Sequence, residues 1–181
     1  MAIFLLLCVS RSFGIQPDLL LHMPLEQQQI GQMLSYVNQL RAQHGLSSLR
    51  LDARLCQAAK EHAEEMAQYN YFSHRGRRRF LFGSSPGSRA TASGYQWKAI
   101  AETMCAGYRN VPAAFQSWVL SAEHYRNLTD LRYRDAGIGV ARTSTKTYWV
   151  LLLALPWTGT LGSREINAPR VLLGRTDQAT S

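Results

Sequence analysis

Lysine is scarce in this chain of 181 residues, where Lys60, Lys98 and Lys146 are the only three. Arginine supplies the rest of the 20 basic residues, and 12 acidic residues leave a formal net charge of +8. A strong arginine bias often follows genome composition rather than a functional basic surface. The densest run, Arg75 with residues 77–79, has no interleaved aromatics and no nucleic-acid motif beside it. We therefore expect no nucleic-acid partner, although an adhesive role of this run toward anionic polymers stays open as an alternative.

Long apolar runs are also missing. Residues 2–9 are apolar, but a membrane-spanning helix needs about 20 such residues, so the sequence predicts no transmembrane anchor. Ser12 and Gly14 are small residues at positions −3 and −1 of a cleavage site before Ile15, which predicts a signal peptide over residues 1–14 and a secreted or periplasmic protein. The run Leu5–Cys8 faintly resembles a lipobox, which leaves a lipoprotein as an alternative.

Cysteine is rare, with three in the chain. Cys8 would leave with the signal peptide, so Cys56 and Cys105 would remain as a pair. In an oxidising compartment such a pair can form a disulfide, whereas two separate buried thiols are equally common for cysteine. A Cys56–Cys105 disulfide and two separate thiols therefore both stay open as predictions. The hydrophobic fraction of 46% is enough for a core that needs no disulfide framework.

Apolar periodicity predicts three helical segments. The first covers residues 26–44 and ends at Gly45, and the second begins after the capping residue Asp52 and runs to about Tyr69. The third has Pro112 in its first turn, and a short helical turn follows at residues 122–128. Between the second and third helices, residues 75–95 are rich in Gly, Ser and Arg and predict a long loop that ends in an extended piece.

Two β-rich runs lie near the end of the chain. Residues 136–141 and 148–155 flank a polar turn and predict an antiparallel hairpin. Helices, then a strand, a helix and a hairpin are typical of an α+β domain. We divide the chain into four predicted segments: signal peptide 1–14, linker 15–28, domain 29–156 and loosely ordered tail 157–181.

Two histidines and a carboxylate stand out as candidates for chemistry. His74 lies where the second helix gives way to the long loop, Glu102 lies in an apolar strand, and His124 lies in the turn after the third helix. A buried carboxylate is costly unless it is paired, and a neutral imidazole is the commonest metal ligand. Together they would form an incomplete tetrahedral set with water in the open position. No His-Glu-x-x-His spacing is present, so three unrelated polar residues are the alternative.

Two further residues, His62 and Ser121, are better explained by structural roles than by chemistry. His62 is in phase with the apolar residues Leu55, Ala59 and Met66, which predicts a buried structural histidine. Ser121 precedes His124 by three positions, but no Gly-x-Ser-x-Gly elbow surrounds it. We therefore expect Ser121 to cap a helix rather than to act as a nucleophile.

Several short motifs in a fixed order carry a family resemblance. They are residues 37–41, His44-Gly45-Leu46, His62-Ala63, Phe72-Ser73-His74, Ser85-Pro86 with Arg89, Gly94-Tyr95, Ala101-Glu102, Trp118 with Ser121 and His124, Asn127-Leu128, and Gly137-Ile138-Gly139-Val140. From about Gln29 to Leu155 the chain resembles the bacterial branch of the CAP superfamily, the cysteine-rich secretory, antigen 5 and pathogenesis-related group with SCP-like domains. The resemblance implies an α-β-α sandwich with a small antiparallel sheet between helical layers.

The resemblance also implies a central cavity with two histidines and two acidic residues, which in some members binds zinc or another divalent metal. His74, Glu102 and His124 match three of these groups, and Glu123 is a candidate for the fourth. The resemblance implies His74 and His124 as metal ligands, with Glu102 either orienting them or binding the metal itself. Thr103 stands where the family usually has Asn. The family implies a secreted binding protein, expected to be monomeric, with a lipid, glycan or protein partner. A hydrolase is the alternative, with zinc held by His74 and His124 and Glu102 as general base.

Overall fold

The computed structural model describes residues 24–77 and 84–159. Five helices and four strands are present in these two ranges. In chain order they are α1 (Leu25–Gln43), β1 (Arg50–Leu51), α2 (Ala53–Tyr69), α3 (Pro86–Ala92), β2 (Trp97–Ala106), α4 (Val111–Val119), α5 (Ala122–Leu128), β3 (Asp135–Arg142) and β4 (Thr147–Pro156). The predicted signal peptide, Cys8, two arginines of the basic run and most of the predicted tail lie outside the described residues.

The helix ends follow the capping signals of the sequence. Helix α1 begins at Leu25, inside the segment predicted as a linker, and the chain leaves it through Gly45, whose φ of +66° suits a residue without a Cβ. The Asp52 side chain accepts hydrogen bonds from the backbone N–H groups of Arg54 and Leu55 at the start of α2. Helix α2 ends at Tyr69. His74 therefore lies beyond the helix, in the segment that follows it.

The four strands form one sheet in the order β1-β3-β4-β2. The predicted hairpin is confirmed, since β3 and β4 are antiparallel and close at Arg142 opposite Thr147. Strand β2 pairs antiparallel with β4 and forms one edge of the sheet. The two-residue strand β1 was not predicted, and it pairs parallel with β3, so the sheet is mixed rather than wholly antiparallel.

Helices cover both faces of the sheet. Leu151 and Leu153 of β4 belong to a core cluster with residues of α1 and α4. Their neighbours Val150 and Leu152 belong to a second cluster with residues of α2 and α3. Successive side chains of a strand point to opposite faces, so the sheet lies between two helical layers. This confirms the α-β-α sandwich and the α+β class.

Helix α2 lies directly on the backbone of β3. A Cβ on Gly137 would lie 2.1 Å from the carbonyl carbon of Leu55, and one on Gly139 would lie 2.3 Å from that of Ala59. No side chain fits at such distances. The two glycines of the Gly-x-Gly-x pattern therefore allow the helix and the strand to approach closely.

The long loop predicted over residues 75–95 contains a helix that the sequence pattern did not predict. Helix α3 has Pro86 in its first turn, and the Ser85 hydroxyl accepts a hydrogen bond from the backbone N–H of Ser88. Both features are helix-start signals. Periodicity did not reveal the helix because seven residues are too few to repeat an apolar stripe. Its position matters, because α3 carries Arg89 to the sheet.

The two described cysteines are free thiols, half-buried for Cys56 and buried for Cys105. The alternative of two separate thiols, rather than a disulfide, is what the structure shows. Burial raises the pKa of the Cys105 thiol to about 12, which makes its reactive thiolate form rare. Within residues 24–77 and 84–159, no helix has the length and apolar character needed to cross a membrane.

Candidate functional site

Glu102 lies on the edge strand β2, with its side chain almost fully buried. The Nδ1–H of His74 donates to its Oε1 at 2.8 Å, and the Nη2 of Arg89 donates to its Oε2. Both carboxylate oxygens are therefore engaged by nitrogen donors. Since an isolated buried carboxylate would be costly, these two partners explain why a charged residue is tolerated in an apolar strand.

Arg89 binds the two ends of the segment that precedes α3. Its Nη1 donates to the backbone carbonyl of His74 at 3.0 Å and to that of Ser84 at 2.6 Å. The Arg89 side chain is itself 6% exposed and forms an ion pair with Glu102. One buried guanidinium thus neutralises the carboxylate and fixes the chain beside it, a geometry that the planar fork of arginine allows.

His74 has one ring nitrogen held and the other side of the ring open. Its side chain is 54% exposed, although Nδ1 is bonded to Glu102. The hydrogen bond to the Glu102 carboxylate raises the pKa of His74 above its ordinary value of 6.5, while the nearby charge of Arg89 opposes this increase. Glu102 therefore fixes the tautomer and the orientation of an accessible imidazole.

His124, on α5, is half-buried, and its Nδ1 has no hydrogen-bond partner among the described residues. Burial lowers the pKa of His124, the neighbouring Glu123 partly opposes this, and the charge of His74 lowers it further. Glu123 also acts to raise the pKa of His74. Glu123 lines the same cleft as His74, whereas His124 is not among the described residues that line it.

An open cleft of about 480 Å³ lies along the outer edge of β2. Helix α3 reaches it from the layer of α2, and α5 reaches it from the layer of α1 and α4. The sheet edge therefore explains how residues from both layers meet. The lining includes His74, Pro86, Trp97, Glu102, Glu123 and Asn127.

The family follows from a match over most of the fold. The model described as "CAP: Cysteine-rich secretory protein family" matches residues 34–153. The chain belongs to the CAP family. The matched range spans the chain from α1 to β4 and includes every residue of the cleft.

Two curated relatives of this CAP domain come from Bacillus subtilis. The uncharacterized membrane protein YlbC is 32% identical over 111 residues, which cover 61% of this chain and 31% of YlbC. The uncharacterized protein YkwD is 23% identical over 113 residues, which cover 62% of this chain and 42% of YkwD. The chain thus spans less than half the length of either relative.

Solved structures share the fold. An extracellular protein with an SCP domain from Bacillus anthracis superposes with a TM-score of 0.62 at 24% identity, covering 79% of this chain and 45% of the other. An outer surface protein from Borrelia burgdorferi superposes with a TM-score of 0.65 at 20% identity, covering 72% and 95%. NaASP2, solved with Zn²⁺, gives 0.50 at 15% identity, covering 69% and 78%. At these identities the similarity is one of fold.

The candidate metal ligands divide into two kinds in this CAP domain. Glu102 has both oxygens engaged, so it orients His74 and is not a free ligand. The imidazoles of His74 and His124 and the carboxylate of Glu123 remain as donors. Within the described part of the chain, no three His, Cys, Asp or Glu side chains are grouped closely enough to hold a metal ion. The described residues therefore do not fit a closed zinc centre.

The remaining sequence candidates have structural places. His62 is buried as predicted, and its Nε2–H donates to the backbone carbonyl of Ser73 at 2.9 Å. Ser121 occupies the N-cap position of α5 without a side-chain capping bond. Arg89, by contrast, was not predicted as a site residue. Its one sequence signal is its place in the Ser85-Pro86 motif, and only the fold shows that it reaches Glu102.

Proposed function

We propose that this chain is a secreted CAP-domain binding protein, and that the cleft beside β2 binds its ligand without chemical turnover. The observation that carries the proposal is the double engagement of Glu102 by His74 and Arg89. With both oxygens bonded to neighbouring side chains, Glu102 acts as a structural and orienting group. The same bonds hold an accessible imidazole in a fixed orientation, which suits recognition.

The arrangement gives less support to a metal-assisted hydrolase. That reaction needs a general base within reach of a bound water, and Glu102 was the candidate for this role. Its side chain is instead buried and paired with Arg89 and His74. Catalytic zinc centres also take three protein ligands, whereas no three His, Cys, Asp or Glu side chains of the described residues are grouped closely enough to hold a metal ion.

A divalent cation is part of the proposed binding function. The carboxylate of Glu102 holds Nδ1 of His74 in the manner typical of metal-ligating histidines, which leaves Nε2 as the donor. His124 supplies the second imidazole in this proposal. Its buried Nδ1 has no hydrogen-bond partner among the described residues. A bound cation would add positive charge to the cleft and attract anionic or hydroxyl groups of a partner. The related fold of NaASP2 was solved with Zn²⁺.

The metal part is tested by isothermal titration of the protein with zinc. We expect a saturable heat for the natural protein and none for the double variant His74→Ala, His124→Ala. The variant His44→Ala is the matched control, because His44 lies away from the cleft, bonded to the Tyr125 hydroxyl. Equal heats from the natural protein and the double variant would refute a metal site at these histidines.

Secretion is the second part of the proposal. Two of the structural relatives are described as extracellular and as an outer surface protein, and the sequence predicts cleavage after residue 14. We expect the protein expressed from residues 1–181 to be recovered outside the cytoplasm with Ile15 at its N-terminus. Mass spectrometry that finds the uncleaved chain in the cytoplasm would contradict this.

A further inference from the structure

The wall of the cleft contains an exposed aromatic ring that is held rigidly. Trp97 is 37% exposed, and its Nε1–H donates to the Gly87 carbonyl and to the Thr91 hydroxyl, both at 3.1 Å. A Cβ on Gly87 would lie 2.4 Å from Cζ2 of the indole, so the ring packs against the glycine backbone. A ring fixed in this way loses little conformational entropy when a ligand binds to it.

Two polar side chains of the cleft are left without hydrogen-bond partners by the residues that the structure describes. Glu123 and Asn127 are one turn apart on α5 and both line the cleft. Neither side chain makes a hydrogen bond to another residue in the described part of the chain. A carboxylate and an amide in this position can accept and donate several hydrogen bonds. They are therefore available to the hydroxyl groups of a ligand.

The charge of the cleft argues against a strongly anionic ligand. The Arg89 guanidinium is buried and paired with Glu102, so it offers no charge to solvent. Glu123 adds a second carboxylate, and no Lys or Arg is among the described residues that line the cleft. The volume of about 480 Å³ is in the range of small-molecule sites. A neutral ligand with an apolar face and many hydroxyls matches this lining.

We propose that the cleft binds a neutral glycan, with one sugar ring stacked on Trp97 and its hydroxyls bonded to Glu123 and Asn127. The negative face of an aromatic ring attracts the polarised C–H groups on the face of a sugar ring. The inference deepens the binding function proposed above and rests on it. It does not require the cation, because Trp97, Glu123 and Asn127 are present without one.

The test is a titration of the full protein with neutral oligosaccharides, namely maltotriose, cellotriose, mannotriose and the N-acetylglucosamine trimer, followed by NMR of the protein amides. We expect saturable shifts at the cleft for at least one of them. Trp97→Leu keeps an apolar contact with Gly87 and should weaken binding about tenfold, the loss of one stacking contact. Tyr108→Leu is the control, since Tyr108 is an exposed aromatic just beyond the other end of β2.

Absence of saturable shifts with all four sugars would overturn the inference, and so would equal affinities for Trp97→Leu and the natural protein. A second variant, Asn127→Ala, guards against a folding defect in Trp97→Leu and should also weaken binding. Repeating the zinc titration separates the two proposals. Sugar binding that persists without any zinc heat supports the glycan site and removes the metal part of the proposed function, whereas zinc binding without sugar binding does the reverse.

Discussion

Replacing Glu102 by Gln tests the buried pair at the centre of the cleft. The substitution preserves the shape of the side chain and removes its charge, so Arg89 keeps a buried guanidinium without a counter-ion. His74 keeps a neutral hydrogen-bond acceptor in place of a carboxylate. The change should therefore affect two separate quantities: the free energy of unfolding and the pKa of His74.

The expected loss of stability follows from the burial of both partners, with side chains 6% and 1% exposed. Breaking a buried ion pair by removing one partner costs about 3–5 kcal/mol. The amide oxygen can still accept one of the two hydrogen bonds, which favours the lower end of that range. For a chain of this length, a loss of about 3 kcal/mol lowers Tm by about 6–12 °C. Because the carboxylate raises the pKa of His74, that pKa should fall toward its ordinary value in the variant.

Calorimetry gives the first quantity, and NMR titration of the histidine ring protons gives the second. Glu123→Gln is the matched control, because Glu123 lines the same cleft but is exposed, and exposed substitutions usually change stability by less than about 0.5 kcal/mol. If Glu102→Gln melted at the same temperature as Glu123→Gln, the ion pair would not have the structural role assigned to it. An unchanged pKa of His74 would refute the link between the two side chains.

Three further predictions concern the scaffold. Gly139→Ala should lower the free energy of unfolding in urea by about 3 kcal/mol, because its Cβ would meet the backbone of Ala59 at 2.3 Å. The control Gly31→Ala, at an exposed helical position with open space around it, should be neutral or stabilising. Equal effects of the two substitutions would contradict the close packing of α2 on β3. Burial lowers the pKa of His62 in the folded protein, so as the pH falls the unfolded state binds a proton at this imidazole before the folded state does. The free energy of unfolding should therefore decline as the pH falls below about 6.5. His62→Gln should flatten that part of the stability–pH curve, and an identical curve would refute the effect. Reduction with dithiothreitol should leave Tm unchanged, because Cys56 and Cys105 are free thiols; a fall of several degrees would reveal a disulfide.

The scaffold could be predicted wherever local chemistry decides the structure. Asp52 and Gly45 mark helix ends because capping depends on a few adjacent atoms. The β3–β4 hairpin follows from two apolar runs around a polar turn. The parallel pairing of β1 with β3 could not be predicted in this way, because two residues carry no period and their partner at Asp135 is distant in the chain.

The site was predictable only in part, for the same physical reason. His74 and Glu102 come from a loop and an edge strand that are distant in the sequence, so no sequence spacing records their contact. The family resemblance supplied that proximity. The engagement of Glu102 by Arg89 depends on a seven-residue helix without an apolar stripe. Among the roles expected for Glu102, namely orienting group, ligand or general base, this engagement favours the orienting one.

Zinc titration followed at the histidine ring nitrogens tests the central claim most directly, because it reports on each imidazole separately. If Glu102 orients His74 for binding, zinc should perturb Nε2 of His74 and the ring of His124, while the Nδ1–H of His74 stays bonded to the carboxylate. The rings of His44 and His62 should keep their positions in the spectrum. Zinc-dependent shifts confined to His44 or His62, with the ring-nitrogen shifts of His74 and His124 unchanged, would contradict this claim.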